Sequence, residues 1–379
     1  MAPMLPARRG ESPSLADVLT GSLAAMRGLQ SVLALPAVRS AAVILVDGLG
    51  AATLRDRAGH ARRLSAALPT SGATITVPFP TTTAAALATL TTGKPAGQHG
   101  LTGYTAIDPA GDRVVRLLTG WDDGMQPRQW QPHETVFEQA VTAGFDAVVV
   151  GAERYRVTGF TEAVLRGARF VAEKSISGRV SAAIALLREG PPRLVYVYIP
   201  ELDMSGHAEG VSSATWLARL DELDAALAPL ETALPSDTGV LLTADHGMLD
   251  VPAHRRRIIA GDDPLWVGVR HVAGEPRCLQ LGLDDPAQAE KVRDRWLEAE
   301  GSRSWVVTRS EAIAGGWFGT MDDAVLPRVG HVLVAARGVV AYYDDRTASA
   351  SARAMVGQHG SFSPEESQVP LARWGAFAR

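Results

Sequence analysis

The chain contains a single cysteine, Cys278, and this scarcity excludes two kinds of site. One thiol cannot form an intramolecular disulfide, and it cannot build a cysteine-rich metal site. Long apolar runs are also missing, since no stretch approaches the roughly 18 apolar residues of a membrane span. Residues 1–20 carry charges where a signal peptide requires its apolar region. We therefore expect a cytoplasmic protein with no membrane partner.

Neither sign of charge is in strong excess. The formal net charge is -4 at pH 7, which does not indicate a nucleic-acid surface. The basic run at 255–257 is too short for a basic patch, and we predict that it is a solvated loop. With 46% hydrophobic and 21% charged residues, the composition is typical of a globular enzyme-sized protein. The sequence does not indicate an oligomeric state.

Short apolar runs recur along the chain, and polar or glycine-rich residues follow each of them. These runs lie within 41–50, 146–152, 194–203 and 239–247. Continuous Val, Ile and Leu runs of this length indicate strands that are buried on both faces. Helical patterns alternate with them at 134–143, 172–188 and 212–233. The alternation predicts an α/β fold with a mostly parallel central sheet and helices on both faces.

The region at 252–330 shows a different pattern, which predicts a small α+β module. Two strand candidates, at 276–283 and 302–311, flank a helix that Asp285 caps and Gly301 ends. We expect this module to form a cap insertion over the sheet, and a hairpin at 331–345 to return to the main domain. The predicted domains are an N-terminal segment (1–38), an α/β core (39–251 and 331–379) and the cap (252–330).

The stretch "PFPTTTAAALATLTTG" at 78–93 has two interpretations. A threonine hydroxyl can accept a hydrogen bond from a free backbone N–H at a helix start, so the three threonines can simply cap a helix. Alternatively, Thr81, Thr82 or Thr83 is a nucleophile. Residues elsewhere in the chain have to decide between the two.

Aspartates and histidines follow the predicted strands. The set comprises Asp47, Asp203, His207, Asp245, His246 and, in a later glycine-rich loop, His359. Each could be an ordinary turn residue, but the carboxyl ends of strands in an open α/β sheet share one edge, where sites gather. Carboxylate and imidazole together suit Zn²⁺, and also Mn²⁺ or Fe. Six ligands divide into two sites, and two metals can hold both oxygens of a phosphoryl transfer while activating a threonine hydroxyl.

These residues resemble the alkaline phosphatase superfamily, and more closely its type I phosphodiesterase/nucleotide pyrophosphatase family. The matching segments, in order, are "ILVDGLG", "FPTTTAAALATLTTGKPAGQHGLTGY", "YIPELDMSGHAEG", "LLTADHGM" and "GQHGSFSPEESQVPL". The resemblance covers roughly 40–375. It implies hydrolysis of a phosphodiester or pyrophosphate bond in a small-molecule substrate, such as a nucleotide, through a phospho-threonine intermediate.

The resemblance also implies a role for each site residue. Asp203, His207 and His359 would bind one zinc ion, and Asp47, Asp245 and His246 the other, with the nucleophile as an additional ligand. The family's spacing to Gly93 points to Thr83 as the nucleophile, with Thr82 as the fallback. Tyr104 occupies the place of a family asparagine that holds a phosphoryl oxygen, so it is a candidate substrate-binding residue.

Other readings of function and of single residues stay open at this point. The scaffold could hydrolyse phosphonates or phosphomonoesters, or act as a phosphomutase, or bind metals without catalysis. We interpret His99 as a structural or supporting residue, because the ligand set is complete without it. His254 lies beside the basic run, with no chemistry to assign it. Trp121 and Trp130 could stack on a base or sugar, or simply pack.

Overall fold

The computed structural model describes residues 5–6 and 12–378. Its strands are β1 Ser40–Val46, β2 Thr74–Thr76, β3 Thr105–Asp108, β4 Arg113–Arg116, β5 Asp146–Gly151, β6 Arg169–Ala172, β7 Arg193–Ile199, β8 Thr238–Thr243, β9 Leu249–Asp250, β10 Arg256–Ile259, β11 Val269–Glu275, β12 Cys278–Leu283, β13 Ser304–Thr308, β14 Val332–Ala336, β15 Ala341–Asp344, β16 Gly357–Gln358, β17 Gln368–Pro370 and β18 Ala372–Gly375.

Helices alternate with many of these strands. They are α1 Ala16–Met26, α2 Ala51–Asp56, α3 Arg62–Ala66, α4 Thr83–Thr92, α5 Ala96–His99, α6 Pro127–Trp130, α7 Val136–Thr142, α8 Gly159–Val164, α9 Ile176–Arg188, α10 Glu201–Glu209, α11 Ala214–Leu227, α12 Ala289–Glu300, α13 Arg309–Ala314, α14 Ala350–Ala354 and α15 Pro364–Ser367. Within residues 12–378, none of them is long and apolar enough to cross a membrane. The cytoplasmic location stays a prediction.

A six-stranded sheet forms the centre of the molecule, in the order β18–β8–β1–β7–β5–β6. Neighbouring strands from β8 to β6 run parallel, and β18 pairs antiparallel with β8 at one edge. All seven residues of β1 are buried, as expected for a continuous apolar run in a parallel sheet. The predicted α/β class and mostly parallel sheet are therefore confirmed.

Helices pack on this sheet in two groups. In one group α1 and α7 contact the sheet, and α4 packs on α1; in the other α9 contacts the sheet and α11 packs on α9. Helix α1 belongs to the predicted N-terminal segment, yet Val18, Leu19 and Leu23 are buried in the main core. The described part of that segment is thus built into the α/β core. Residues 1–4 and 7–11 of the segment lie outside the described residues.

A second six-stranded sheet has the order β13–β14–β12–β11–β3–β4, and its pairs are antiparallel. It has its own apolar cluster, which includes Leu281, Trp296 and Val334. The two predicted cap strands and the helix between them are confirmed as β12, β13 and α12. Asp285 Oδ1 accepts a hydrogen bond from the Ala287 N–H at 3.0 Å and caps the short 3-10 turn Pro286–Gln288 that leads into α12, whereas Gln288, at the N-cap of α12 itself, makes no capping bond with its side chain.

One prediction about local structure is wrong, and another is right only in part. The segment at 331–345 forms no hairpin: β14 pairs with β12 and β13, and β15 pairs with β10. The five residues of β14 are all buried, so this strand needs partners on both edges, and its apolar pattern does not specify which ones. The run at 255–257 is solvated at Arg255 and Arg257, as predicted, but it is not a loop throughout, because β10 begins at Arg256, whose guanidinium donates to the carbonyl of Val251. The domain boundaries themselves stay a prediction.

Candidate metal centre and active site

Three aspartates lie at the carboxyl ends of adjacent strands. Asp47 follows β1, Asp245 comes two residues after β8, and Asp203 lies in the first turn of α10, which follows β7. The backbone N–H groups of Gly48 and His246 donate to Asp245 Oδ1, at 3.2 and 3.0 Å. The order β8–β1–β7 therefore brings the three carboxylates together at one edge of the sheet, as the parallel arrangement predicts.

Three histidines converge on the same place with a common orientation. In each, Nδ1 lies at hydrogen-bond distance from a backbone carbonyl: His207 to Gly357 at 2.8 Å, His359 to Thr81 at 2.7 Å and His246 to Gly247 at 3.2 Å. A neutral imidazole that donates through Nδ1 carries its lone pair on Nε2. Such backbone partners fix the ring of a metal-ligating histidine. All three rings can therefore offer Nε2 to a metal.

The cluster contains donor atoms that lack a positive partner. Within the described chain, Oδ1 of Asp47, Oδ1 of Asp203 and Oδ2 of Asp245 are buried and accept no hydrogen bond. The Nε2 atoms of His207 and His359 face each other at 3.2 Å. Buried carboxylate oxygens without partners are costly, and two facing lone pairs repel. The donor set fits divalent cations, which would satisfy all of these atoms.

The potential ligand atoms form two overlapping groups, each within 4.8 Å: Asp203, His207 and His359, and Asp47, Asp203 and His246. The first group is the predicted triad. In the second, Asp203 stands where Asp245 was predicted, although Asp245 Oδ2 lies only 3.5 Å from His246 Nε2. Asp203 is thus close to both groups, and its carboxylate can serve either one. The assignment of individual ligands stays a prediction.

Burial and mutual repulsion disfavour the charged forms of these side chains. Burial raises the pKa of Asp47 well above its usual range, and the neighbouring Asp203 and Asp245 carboxylates add to the rise. Burial also raises the pKa of Asp245. For His359, burial and the nearby His246 lower the pKa well below its usual value. A cluster with these shifts holds its acids ionised only if cations offset the repulsion.

One threonine of the three reaches this cluster. Helix α4 begins at Thr83, so the predicted helix start is confirmed, but Thr82 at the N-cap makes no capping hydrogen bond with its side chain. The Thr83 Oγ1 atom lies 3.2 Å from His246 Nε2. Thr83 is therefore positioned to react at the cluster, with the free backbone N–H groups of the helix start beside it.

Thr81 has a role that the sequence analysis missed. Its carbonyl accepts from His359, its hydroxyl donates to the Ser361 carbonyl at 2.9 Å, and the same hydroxyl accepts from the Gly360 N–H at 2.9 Å. The residue two positions before Thr83 thus holds the loop that carries His359. No spacing signal could have indicated this contact, because it joins segments about 280 residues apart.

A buried ion pair from the second sheet holds the same loop. Arg277, in the turn between β11 and β12, donates two hydrogen bonds to Glu366, at 2.7 and 2.8 Å, and both side chains are fully buried. Glu366 also accepts from the Ser361 N–H at 2.9 Å. The second sheet therefore supplies no ligand to the cluster but anchors one. Glu366 lies inside a motif that resembles the family, whereas nothing in the sequence around Arg277 pointed to the site.

A cavity of about 430 Å³ opens beside the cluster. Asp47, Thr83 and Asp203 form its polar end, and most of its other lining is apolar, including Leu87, Leu118, Val149, Phe160 and Phe170. Among the described residues that line the cavity, Arg154 is the only lysine or arginine. Tyr198 also lines the cavity, and its hydroxyl donates to Asp47 Oδ2. The arrangement places an apolar compartment directly against the metal-ligand cluster.

The remaining predicted residues lie outside both the cluster and the cavity. His99 is buried, and its Nδ1 accepts a hydrogen bond from the Leu101 N–H at 3.2 Å. Burial lowers its pKa to about 3, so the ring is neutral and structural. Trp121 and Trp130 contact each other edge to face at 6.3 Å, and both pack on the main core. Both side chains therefore pack in this structure, and stacking on a base or sugar stays a prediction.

Tyr104 does not line the cavity. Its side chain is 38% exposed, and its backbone N–H donates to Glu275 at 2.8 Å. Its role in substrate binding stays a prediction. His254 lies in a separate groove, described below.

Comparison with known proteins agrees with this geometry. The sequence model of the family described as type I phosphodiesterase / nucleotide pyrophosphatase matches residues 41–362. The chain belongs to this family. Membership indicates a hydrolase that acts on phosphoester bonds. Among curated proteins, no relative matches the chain.

Solved structures with the same fold include two kinds of enzyme. Murine ectonucleotide pyrophosphatase / phosphodiesterase 5 is 17% identical, with a TM-score of 0.66, over 88% of this chain and 87% of that chain. An inactive variant of that protein has been solved in complex with AMP. Phosphonoacetate hydrolase from Sinorhizobium meliloti 1021, in complex with phosphonoformate, is 18% identical, with a TM-score of 0.70, over 89% of this chain and 91% of that chain. At these identities the similarity shows the alkaline-phosphatase-like fold.

Proposed function

We propose that this protein is a two-metal phosphodiesterase or nucleotide pyrophosphatase that acts through a phospho-threonine intermediate on Thr83. The observation that carries the proposal is the position of the Thr83 hydroxyl, 3.2 Å from His246 Nε2 at the start of α4. Beside it lie three buried carboxylate oxygens that have no partner within the described chain. A nucleophile next to a set of carboxylate and imidazole donors of this kind is typical of two-metal phosphoryl transfer.

In this proposal the six side chains hold two zinc ions. Asp203, His207 and His359 form one site, and Asp47, Asp245 and His246 form the other, with Thr83 as an additional ligand. Manganese or iron would accept the same donors, but mixed imidazole and carboxylate suits zinc best. When bound, the metals polarise the phosphoryl oxygens and lower the pKa of hydroxyl groups near them.

The chain's own residues then perform two displacements. Thr83 Oγ attacks phosphorus, the bond to the leaving alcohol or phosphate breaks, and the proton of the Thr83 hydroxyl is released as the leaving group acquires one. Water next attacks phosphorus, the bond to Thr83 Oγ breaks, one proton of the water passes to Thr83 Oγ to restore its hydroxyl, and a phosphomonoester leaves. Backbone N–H groups at the start of α4 face the developing charge on the phosphoryl oxygens.

The cavity favours a substrate whose ester group is aromatic or otherwise apolar. Phe160 and Phe170 line it, and its polar end is the cluster itself. The AMP complex of the murine relative supports a nucleotide as one such substrate. A base or aryl group placed in this compartment would leave its phosphate at Thr83.

Hydrolysis of a phosphonate is the second candidate function. The Sinorhizobium meliloti enzyme, solved with phosphonoformate, has the same fold. A phosphonate with a carboxylate needs a cation beyond the metals, and Arg154 at the cavity could supply it. A phosphomonoesterase or phosphomutase is possible on the same scaffold. A non-catalytic metal scaffold is disfavoured, since the candidate nucleophile and all six donors are present.

A substrate panel with one matched pair of variants tests this proposal. We expect the metal-loaded protein to hydrolyse thymidine 5′-p-nitrophenyl phosphate and bis-p-nitrophenyl phosphate faster than p-nitrophenyl phosphate or phosphonoacetate. Thr83→Ala should lower turnover by roughly 10³-fold or more without loss of metal, since it removes the nucleophile. Thr82→Ala, one residue away, is the control and should retain activity.

Mass spectrometry after an acid quench should show a phosphorylated species in the wild type and none in Thr83→Ala. Full metal-dependent diesterase activity in Thr83→Ala would refute the assignment of the nucleophile. A clear preference for phosphonoacetate would instead select the second candidate function.

A further inference from the structure

A second concave site lies away from the metal-ligand cluster. It is a groove of about 700 Å³, built from three separate segments of the chain. Its basic lining residues are His254, Arg255, Arg257, Arg303 and Arg337. None of them lines the cavity beside Thr83. The groove therefore needs an explanation of its own.

Two of these arginines are held in place by a buried carboxylate. Glu300, at the end of α12, accepts from Arg257 at 2.9 Å, from Arg303 at 2.8 Å and from the Tyr342 hydroxyl at 3.0 Å. The Glu300 side chain is 1% exposed. A guanidinium has five N–H donors in a rigid fork, so most donors of both arginines stay available. Glu300 thus orients two cations on one wall of the groove.

The other two arginines have no carboxylate partner among the residues that the structure describes. Arg255 is exposed, and the Arg337 guanidinium lies 5.5 Å from the centre of the Trp305 ring. The groove accordingly combines four guanidinium groups with one carboxylate, in a chain whose net charge is -4. Such a local excess of positive charge in a concave surface attracts anions strongly.

We propose that this groove is a binding site for a small polyanion, meaning a small molecule with several closely spaced negative charges. Its volume lies within the range of about 300–1,000 Å³ that is usual for small-molecule sites. Guanidinium forks bind phosphate and sulfate groups through paired, charge-assisted hydrogen bonds. The proposed phosphodiesterase reaction does not use this groove, so the site stands whether or not that reaction is correct.

Calorimetric titration of the metal-loaded protein with sucrose octasulfate tests the proposal, with uncharged sucrose as the matched ligand. We expect saturable binding of the octasulfate that weakens as salt rises, and no binding of sucrose. Arg255→Gln/Arg337→Gln should weaken binding by about tenfold or more, because it removes charge-assisted hydrogen bonds. Among the described residues, neither arginine has a carboxylate partner that its replacement would leave unpaired. The melting temperature checks that the variant is folded.

A double variant of exposed arginines elsewhere, Arg27→Gln/Arg188→Gln, makes the same change in net charge and should bind as the wild type does. The single variant Arg255→Gln, if the double variant fails to fold, should show a smaller loss in the same direction. Three results would overturn the proposal: no saturable binding to the wild type, equal binding by the groove variant, or an equal loss in the control. If the octasulfate binds at the metal cluster instead, the groove variant will bind it as the wild type does, and this is the second of the three results.

Discussion

The two six-stranded sheets contribute to the candidate site in different ways. The central sheet supplies candidate ligands: Asp47, Asp203 and Asp245 follow its parallel strands β1, β7 and β8. The antiparallel sheet supplies none of the six, but its Arg277 anchors the loop of His359 through Glu366. The candidate ligands and the residue that anchors one of them therefore come from two different parts of the fold.

The largest effect should come from replacing Asp203, the carboxylate that lies near both candidate metal groups. Asp203 Oδ1 lies 3.3 Å from His207 Nε2 and belongs to both groups. We expect Asp203→Asn to lower kcat/KM by more than roughly 10³-fold and to reduce the metal content below that of the wild type. Metal analysis and steady-state kinetics measure both effects. Asp221→Asn, at an exposed position, is the control; unchanged metal content in Asp203→Asn would contradict the ligand assignment.

The anchoring side can be broken without any change in the ligands. Arg277→Met strands the buried Glu366 carboxylate, which should cost about 3–5 kcal/mol of unfolding free energy and weaken metal binding by about 10–100-fold. In Arg277→Met/Glu366→Gln the amide oxygen can still accept from Ser361, so stability and metal affinity should both largely recover. Denaturant unfolding and a metal titration provide the measurements. Unchanged metal affinity in Arg277→Met would show that the second sheet does not position His359.

His99 tests the packing beside α4, the helix that begins at Thr83, because its Nε2 lies 3.0 Å from Thr89 Oγ1. The folded-state pKa of His99 is lowered to about 3 from 6.5, so the unfolded chain binds more protons and stability is lost as pH falls below about 6.5. Between pH 7 and pH 5 this loss is about 2 kcal/mol. In His99→Gln that part of the pH dependence should vanish. Parallel unfolding curves for the two proteins, with a constant difference at every pH, would contradict the neutral, buried state.

The apolar compartment should affect substrate binding more than chemistry. Phe170→Ala removes part of its lining, so KM for p-nitrophenyl diesters should rise about tenfold, with kcat changed by less than about twofold. Val157→Ala, in the segment between β5 and α8, is the control, because Val157 is 89% exposed and does not line the cavity. Equal KM values for all three proteins would exclude this cavity as the site of the ester group.

The sequence predicts that the three aspartates meet at one edge of the central sheet, because the signals for this are local. Apolar runs indicate parallel strands, and the polar residue after each run must lie at one edge of the sheet. The contacts of Thr81 and Arg277 could not be predicted, since they join segments that meet only in the folded chain. The predicted hairpin at 331–345 failed for a similar reason, because an apolar strand pattern indicates burial but not which strands pair with it.

The central claim, that two metal ions lie between these side chains beside Thr83, is tested most directly by anomalous scattering from crystals of the zinc-loaded protein. The account predicts two zinc peaks about 3.5–4 Å apart, one among Asp203, His207 and His359 and the other beside His246 and Thr83. Zinc peaks elsewhere, or a single peak at full zinc loading, would contradict it.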